Sequence, residues 1–102
     1  MSRRTDLQAL LENILGSKNV YFQPPSSVSM KYPAIVYSLN GIDKKPADDS
    51  SYMQKRSYTV TLIDKNPDSE LVDSLVRDLS LCRFDRHYKA DNLNHYVYTL
   101  YF

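Results

Sequence analysis

The sequence predicts an α+β fold: a mainly antiparallel β-sheet with two α-helices packed on one face. Two stretches space their apolar residues as a helix does, and the stretches between and after them alternate apolar and polar residues as strands do. The predicted order is helix, short strand, strand, strand, helix, strand, strand. Two amphipathic helices need one apolar sheet face to cover. With 102 residues, the chain is predicted to form a single domain over residues 1–102.

The first predicted helix follows Thr5, which is a candidate N-cap. Gln8 stands three residues later and completes a capping-box pattern, in which each side chain satisfies a free N–H of the first turn. Gly16 is expected to end the helix, since glycine enters the left-handed region without a steric cost. The apolar stripe of this helix is formed by Leu7, Leu10, Leu11, Ile14 and Leu15.

Two strands are predicted next. The first, Val20–Gln23, ends at Pro24 and Pro25, because proline cannot donate to a strand ladder. The second begins after Pro33 and covers Ala34–Leu39, with apolar residues on both of its faces. A strand of this kind is typical of the centre of a sheet.

The polar stretch Asn40–Ser51 is predicted to be a loop of about twelve residues, which is long for a connection within one domain. Asn40-Gly41 is a turn signal at its start. Two interpretations remain open, namely a loop that carries function and a solvated hairpin tip.

The third strand, Met53–Asp64, is predicted to bury Tyr58, Val60 and Leu62 on one face. The second helix should follow at once, with Asn66 as its cap and Pro67 at its first position. Its expected buried stripe is Leu71, Val72, Leu75, Val76 and Leu79.

The chain is predicted to close with a hairpin of strands Cys82–Lys89 and His95–Phe102. One apolar face holds Tyr96, Tyr98, Leu100 and Phe102, and the facing strand offers Cys82, Phe84 and Tyr88. Only a loop with an odd number of residues pairs these two faces, since a slip of one residue turns a strand over. We therefore expect a three- or five-residue loop near Asp91–Asn94.

The charge balance argues against an obligate nucleic-acid-binding protein. Lys and Arg number 13 and Asp and Glu number 12, which gives a net charge of +1. Tyr58, Tyr96 and Tyr98 are the aromatic residues that an open sheet face would need for base stacking, but we expect them to be buried. A local basic patch remains open for Arg3, Arg4, Lys44, Lys45, Lys55, Arg56, Arg83, Arg86 and Lys89.

Enzymatic, metal and cofactor functions have little support in the sequence. The one cysteine, Cys82, excludes an internal disulfide and is expected to be an inert core residue. With the odd-length loop, Asp85, His87 and His95 would share a sheet face, but Cys82 would point to the other face and no metal-ligand spacing is present. Two glycines cannot build a phosphate-binding loop. We expect no enzyme activity, no metal and no cofactor.

No apolar run reaches the ~18 residues that a membrane span needs. The first residues carry no apolar stretch of signal-peptide type. We therefore expect a protein that is made in the cytosol and does not contact a membrane.

Several stretches resemble the small tail-terminator or tail-completion proteins found at the neck of long-tailed bacteriophages and prophages. The stretches Val20–Pro25 and Met30–Tyr37 are similar to the start of these proteins. Tyr58–Asp64 with Pro67–Glu70 resembles their central strand and second helix start. Phe84–Arg86 with Ala90–Tyr96 resembles their closing hairpin. The likeness is structural and is shared with related connector and minor tail proteins.

The resemblance implies a non-enzymatic virion protein of the tail or neck, assembled in the host cytoplasm. It implies a ring of identical copies, commonly a hexamer, at the head-proximal end of the tail. Such a ring stops tail-tube polymerisation, contacts the tail-tube and head-connector proteins, and lets genome DNA pass through its lumen without specific binding. We expect ring or tail-tube contacts at Asp43, Lys44, Lys45, Asp48, Asp49, Tyr52, Lys55 and Tyr101. The alternatives are another connector or minor tail protein and a single-stranded nucleic-acid-binding domain.

Overall fold

The structure, a computed structural model, describes residues 3–25, 27–46 and 52–102. The helices and strands are α1 (Arg3–Leu15), β1 (Val20–Phe22), β2 (Ala34–Pro46), β3 (Tyr52–Asp64), α2 (Leu71–Asp78), β4 (Cys82–Ala90) and β5 (Leu93–Tyr101). One five-stranded sheet has the order β1-β2-β3-β5-β4. Among the strand pairs that the structure describes, β1–β2 is parallel and the others are antiparallel. The predicted α+β class is confirmed.

Both helices lie on the same face of the sheet and share one hydrophobic core with it. Leu7 and Leu11 of α1 and Leu75 of α2 are fully buried. The sheet contributes the alternate residues that face the helices: Ile35, Tyr37, Tyr58, Val60, Leu62, Tyr96, Tyr98 and Leu100. The opposite face carries no helix in the part of the chain that the structure describes, and we call it the uncovered face.

The predicted loop Asn40–Ser51 is wrong for residues 40–46, and its remainder, residues 47–51, lies outside the described residues. Strand β2 continues to Pro46, and β3 begins at Tyr52. A bulge where the register shifts between Leu39 and Gly41 allows the two strands to stay paired beyond it. Polar residues form strands here because antiparallel pairing satisfies their backbone groups whatever side chains they carry.

Helix α1 begins earlier than predicted. Its first residue is Arg3, so Thr5 lies inside the helix and is not its N-cap. The predicted end is confirmed, because Gly16 has a φ of 82° and donates to the carbonyl oxygen of Glu12.

Helix α2 begins later than predicted. The expected start at Asn66 and Pro67 is a turn instead, in which the Asn66 side chain accepts a hydrogen bond of 2.9 Å from the backbone N–H of Asp68. This Asx turn gives the N–H of Asp68 a hydrogen-bond partner, so residues 66–68 can form a turn in place of the first turn of a helix. The predicted stripe is correct at Leu75 and Leu79, which are buried, and at Leu71 and Val72, which pack against the core. It is wrong at Val76, which is 44% exposed.

The predicted odd-length loop of the last hairpin is wrong. Ala90 pairs with Leu93, which leaves a two-residue turn of Asp91 and Asn92, both with positive φ. A bulge at Asp85 adds the residue that an odd-length loop would have supplied. Cys82 and Phe84 therefore still share a face with Tyr98 and Leu100, as predicted, and pair with Leu100 and Tyr98. Tyr88, in contrast, lies on the uncovered face opposite His95.

Candidate interaction surfaces

The expected contact residues lie mostly on the hairpin of β2 and β3. Asp43 pairs with Lys55 and Pro46 pairs with Tyr52, while Lys44 and Lys45 are also strand residues. Tyr101 pairs with Ser57 where this hairpin leaves the sheet. Asp48 and Asp49 lie outside the described residues.

The outer part of this hairpin is a two-stranded ribbon, which we define as residues 41–46 and 52–56. Among the described residues no third strand pairs with it, since β1 reaches only Tyr37 on β2 and β5 ends opposite Ser57. Phe102 donates one last hydrogen bond to the carbonyl oxygen of Arg56. The five pairs from Ile42 to Pro46 extend roughly 13 Å, four steps of ~3.3 Å. Both edges of the ribbon present backbone groups that another strand can bind.

The outer edge of β1 is closed by a side chain from α1. Gln8 donates from Nε2 to the carbonyl oxygen of Val20, at 2.9 Å. The same amide accepts a hydrogen bond from the hydroxyl of Tyr37, at 2.5 Å. Because β1 has only three residues, this contact occupies much of its free edge.

The outer edge of β4 is protected against pairing with itself. All of its residues between Cys82 and Ala90 are exposed. Antiparallel pairing of two β4 strands centred on Arg86 would place Arg83 opposite Lys89, and like charges in directly opposed positions are destabilising. The bulge also interrupts the edge.

The uncovered face holds an open groove of about 740 Å³. Its lining includes Val36, Thr61 and Ile63 from the sheet, Pro25 and Met30 from the segment between β1 and β2, and the pair Tyr88 and His95. The rings of Tyr88 and His95 stack at 4.7 Å between centroids and 8° between planes. Sequence reasoning missed this pair because it placed Tyr88 on the helix-covered face, and a bulge leaves no clear signal in a single sequence.

The residues weighed as metal ligands are not brought together. His87 stacks on Tyr96 at 4.4 Å on the helix side, while His95 lies on the uncovered face, so the predicted common face is wrong. Among the described residues no group of three or more His, Cys, Asp or Glu side chains is arranged to hold a metal ion. Burial raises the pKa of the Cys82 thiol to about 11, which keeps it protonated and unreactive at neutral pH.

The three tyrosines expected to be buried are buried. Tyr58 and Tyr98 are at most 1% exposed and Tyr96 is 4% exposed. The hydroxyl of Tyr98 donates to the carbonyl oxygen of Val72 at 3.0 Å, and that of Tyr96 donates to Pro67 at 2.9 Å. Burial raises the pKa of Tyr98 well above the ordinary value for tyrosine. These rings cannot stack nucleic-acid bases.

Comparison with known proteins gives no family. No protein-family model matches the chain, and no curated protein matches it. Within the described residues, no helix is long and apolar enough to cross a membrane. A functional proposal therefore depends on the fold and its exposed surfaces.

Proposed function

We propose that this chain is a structural virion protein that forms a ring at the head-proximal end of a phage tail. There it ends tail-tube polymerisation and joins the tail to the head, in the virion neck and, during assembly, in the host cytoplasm. The observation that supports self-assembly is the two-stranded ribbon. It extends beyond the sheet in a molecule that measures 51 × 25 × 22 Å.

The ring would form by head-to-tail association, in which two different surfaces of each copy meet and rotation closes the ring. The ribbon supplies one of these surfaces, because among the described residues no third strand pairs with it, whereas the Gln8 side chain occupies the outer edge of β1 and like charges oppose the self-pairing of β4. A net charge of +1 is compatible with a lumen through which DNA slides without being held.

Light scattering of the purified chain and electron microscopy with tail tubes test the proposal. We expect rings, either in the free protein or at the ends of tail tubes. A protein that stays a strict monomer and never binds tube ends would contradict it. Binding to head-connector proteins without binding to tubes would favour the alternative, another small connector or minor tail protein.

A matched pair of variants tests the role of the ribbon. Ile42 on the ribbon is 46% exposed, and Val76 on α2 is 44% exposed. We expect Ile42→Asp to abolish rings or tube binding and Val76→Asp to leave both unchanged, with circular dichroism confirming that both variants fold. If both variants form rings and bind tubes to the same extent, the ribbon is not part of the interface.

A further inference from the structure

We propose that the groove on the uncovered face binds single-stranded nucleic acid, with the stacked Tyr88 and His95 rings as the platform for a base. This activity goes beyond ring formation and does not depend on it. Single-strand binding surfaces commonly combine exposed aromatic rings with cations on an open sheet face. The sheet here has both helices on one face and an aromatic pair on the other.

The aromatic pair is held in place by the fold. Tyr88 and His95 are directly opposed on β4 and β5. His95 Nδ1 lies 3.1 Å from the carbonyl oxygen of Leu93, which can only accept, so Nδ1 carries the proton of this hydrogen bond and the ring is fixed. Tyr88 is nevertheless 42% exposed. The Tyr88 ring is held by stacking on the fixed His95 ring and has the Arg86 guanidinium over it, so a base would use the part of the pair that stays exposed.

The dimensions of the face suit a short single strand. From β2 to β4 the four neighbouring strands span about 14 Å at ~4.8 Å per step, and two or three stacked bases cover an open sheet face of this kind. Thr61 and Ser38, which both line the groove, offer hydroxyl groups to the edges of bases. A duplex keeps its bases stacked inside, so it cannot use such a platform.

A cation lies beside the groove. The described residues that line the groove include no Asp or Glu and no Lys or Arg. The Arg86 guanidinium lies 5.5 Å from the centroid of the Tyr88 ring, and Arg86 takes part in neither ion pair of the described residues. The nearby carboxylate of Asp85 is engaged by Arg83 and Thr99. Arg86 also feels the charge of the Asp85 carboxylate, so a phosphate beside the aromatic pair would share this guanidinium with Asp85.

Fluorescence anisotropy of the full chain with labelled oligothymidylate and oligouridylate tests the proposal. We expect binding that weakens as salt rises. Tyr88→Ala should weaken binding about 5- to 150-fold, the effect of losing one stacked base, and Tyr88→Phe should retain it. Arg86→Ala should reduce the salt slope by about 0.7, the value for one phosphate contact on a single strand.

Phe84→Ala is the matched control. Phe84 lies on the same strand and is 43% exposed, but it packs edge-on against Tyr98 on the helix side. We expect it to leave oligonucleotide binding unchanged, with circular dichroism as the test of folding for each variant.

Three results would overturn the proposal. The first is no binding by the unaltered chain, and the second is equal loss of binding in Phe84→Ala and Tyr88→Ala. The third is a Tyr88→Ala variant that alters self-association in light scattering but not oligonucleotide binding, which would make this face a contact between copies. None of these results decides whether the ribbon forms rings, because the Ile42→Asp and Val76→Asp variants test ring formation separately.

Discussion

Phe84 and Tyr88 lie four residues apart on one strand, yet their side chains leave the sheet on opposite faces. Phe84 packs against Tyr98 with ring centroids at 5.4 Å, and Tyr88 stacks on His95. Four residues along a regular strand return a side chain to the same face. The bulge at Asp85 adds one residue, which shifts the alternation of side chains by one position. A single strand therefore contributes Phe84 to the core and presents Tyr88 on the uncovered face.

The hydrogen bonds of Asp85 should make stability depend on pH. The hydrogen bond from Thr99 is the main reason that the pKa of the Asp85 carboxyl is lowered, and the interaction with Arg83 adds to it. A lowered pKa in the folded state stabilises the protein above the ordinary pKa of aspartate, and this is lost as the pH falls through the lowered value. We expect Asp85→Asn to lower the free energy of unfolding by about 0.5–1 kcal/mol at neutral pH.

Urea unfolding of both proteins across the acid range checks this expectation. The gap between the unaltered chain and Asp85→Asn should narrow as the pH falls below the ordinary pKa of aspartate, because the other carboxyl groups titrate equally in both. A gap that stays constant down to about pH 2 would show that the ionised carboxylate contributes nothing.

Two neighbouring residues of α2 should differ sharply in their effect on stability. Leu75 is fully buried and Val76 is 44% exposed. Leu75→Ala should cost about 2–5 kcal/mol through lost burial and a cavity. Val76→Ala should change the free energy of unfolding by less than about 0.5 kcal/mol. Similar costs in urea unfolding would mean that α2 is rotated relative to the sheet.

The thiol of Cys82 should react slowly in the folded protein. Its raised pKa of about 11 leaves little thiolate at neutral pH, and thiolate is the nucleophilic form. We expect the rate of alkylation by iodoacetamide to rise with pH and to reach half of its limit near pH 11. The same chain in denaturant is the control, since there the rate should follow an ordinary cysteine. A folded-state midpoint near the ordinary value of about 8.5 would contradict the burial argument.

Gln8 and Tyr37 should be energetically coupled. Gln8→Ala removes the hydrogen bond to the Val20 carbonyl and leaves the Tyr37 hydroxyl without its Gln8 acceptor, so we expect a loss of about 1–3 kcal/mol. Combining it with Tyr37→Phe should cost less than the sum of the two single changes, because the second change removes the group that the first left without its partner. Additive costs in a double-mutant cycle would show that the two side chains act independently.

The fold class follows from residue pattern, because apolar periodicity decides which face of each element is buried. The period of Leu7 and Leu11, and the alternation of Tyr58, Val60 and Leu62, correctly identify the core. The errors lie at the ends of elements. At Asn66 and Pro67 a turn competed with a helix start for the same residue types, and single-sequence patterns do not separate the two.

The candidate surfaces were harder to predict because they depend on register. The stretch from Asn40 to Pro46 reads as a polar loop, and pairing with the facing strand makes it a strand instead. The pair of Tyr88 and His95 depends on an extra residue in a bulge and on a turn of two residues. Both are properties of two strands together, so neither strand alone reveals them.

The side-chain amide of Gln8 also limits how copies of this chain can join. It occupies the place at which β1 would otherwise act as a template for a further strand. An assembly with a fixed number of copies cannot leave such an edge free, because every added copy would then offer a new edge to a further copy. In the proposed ring, the Gln8 amide at the edge of β1 would therefore help to prevent growth into an open-ended fibre.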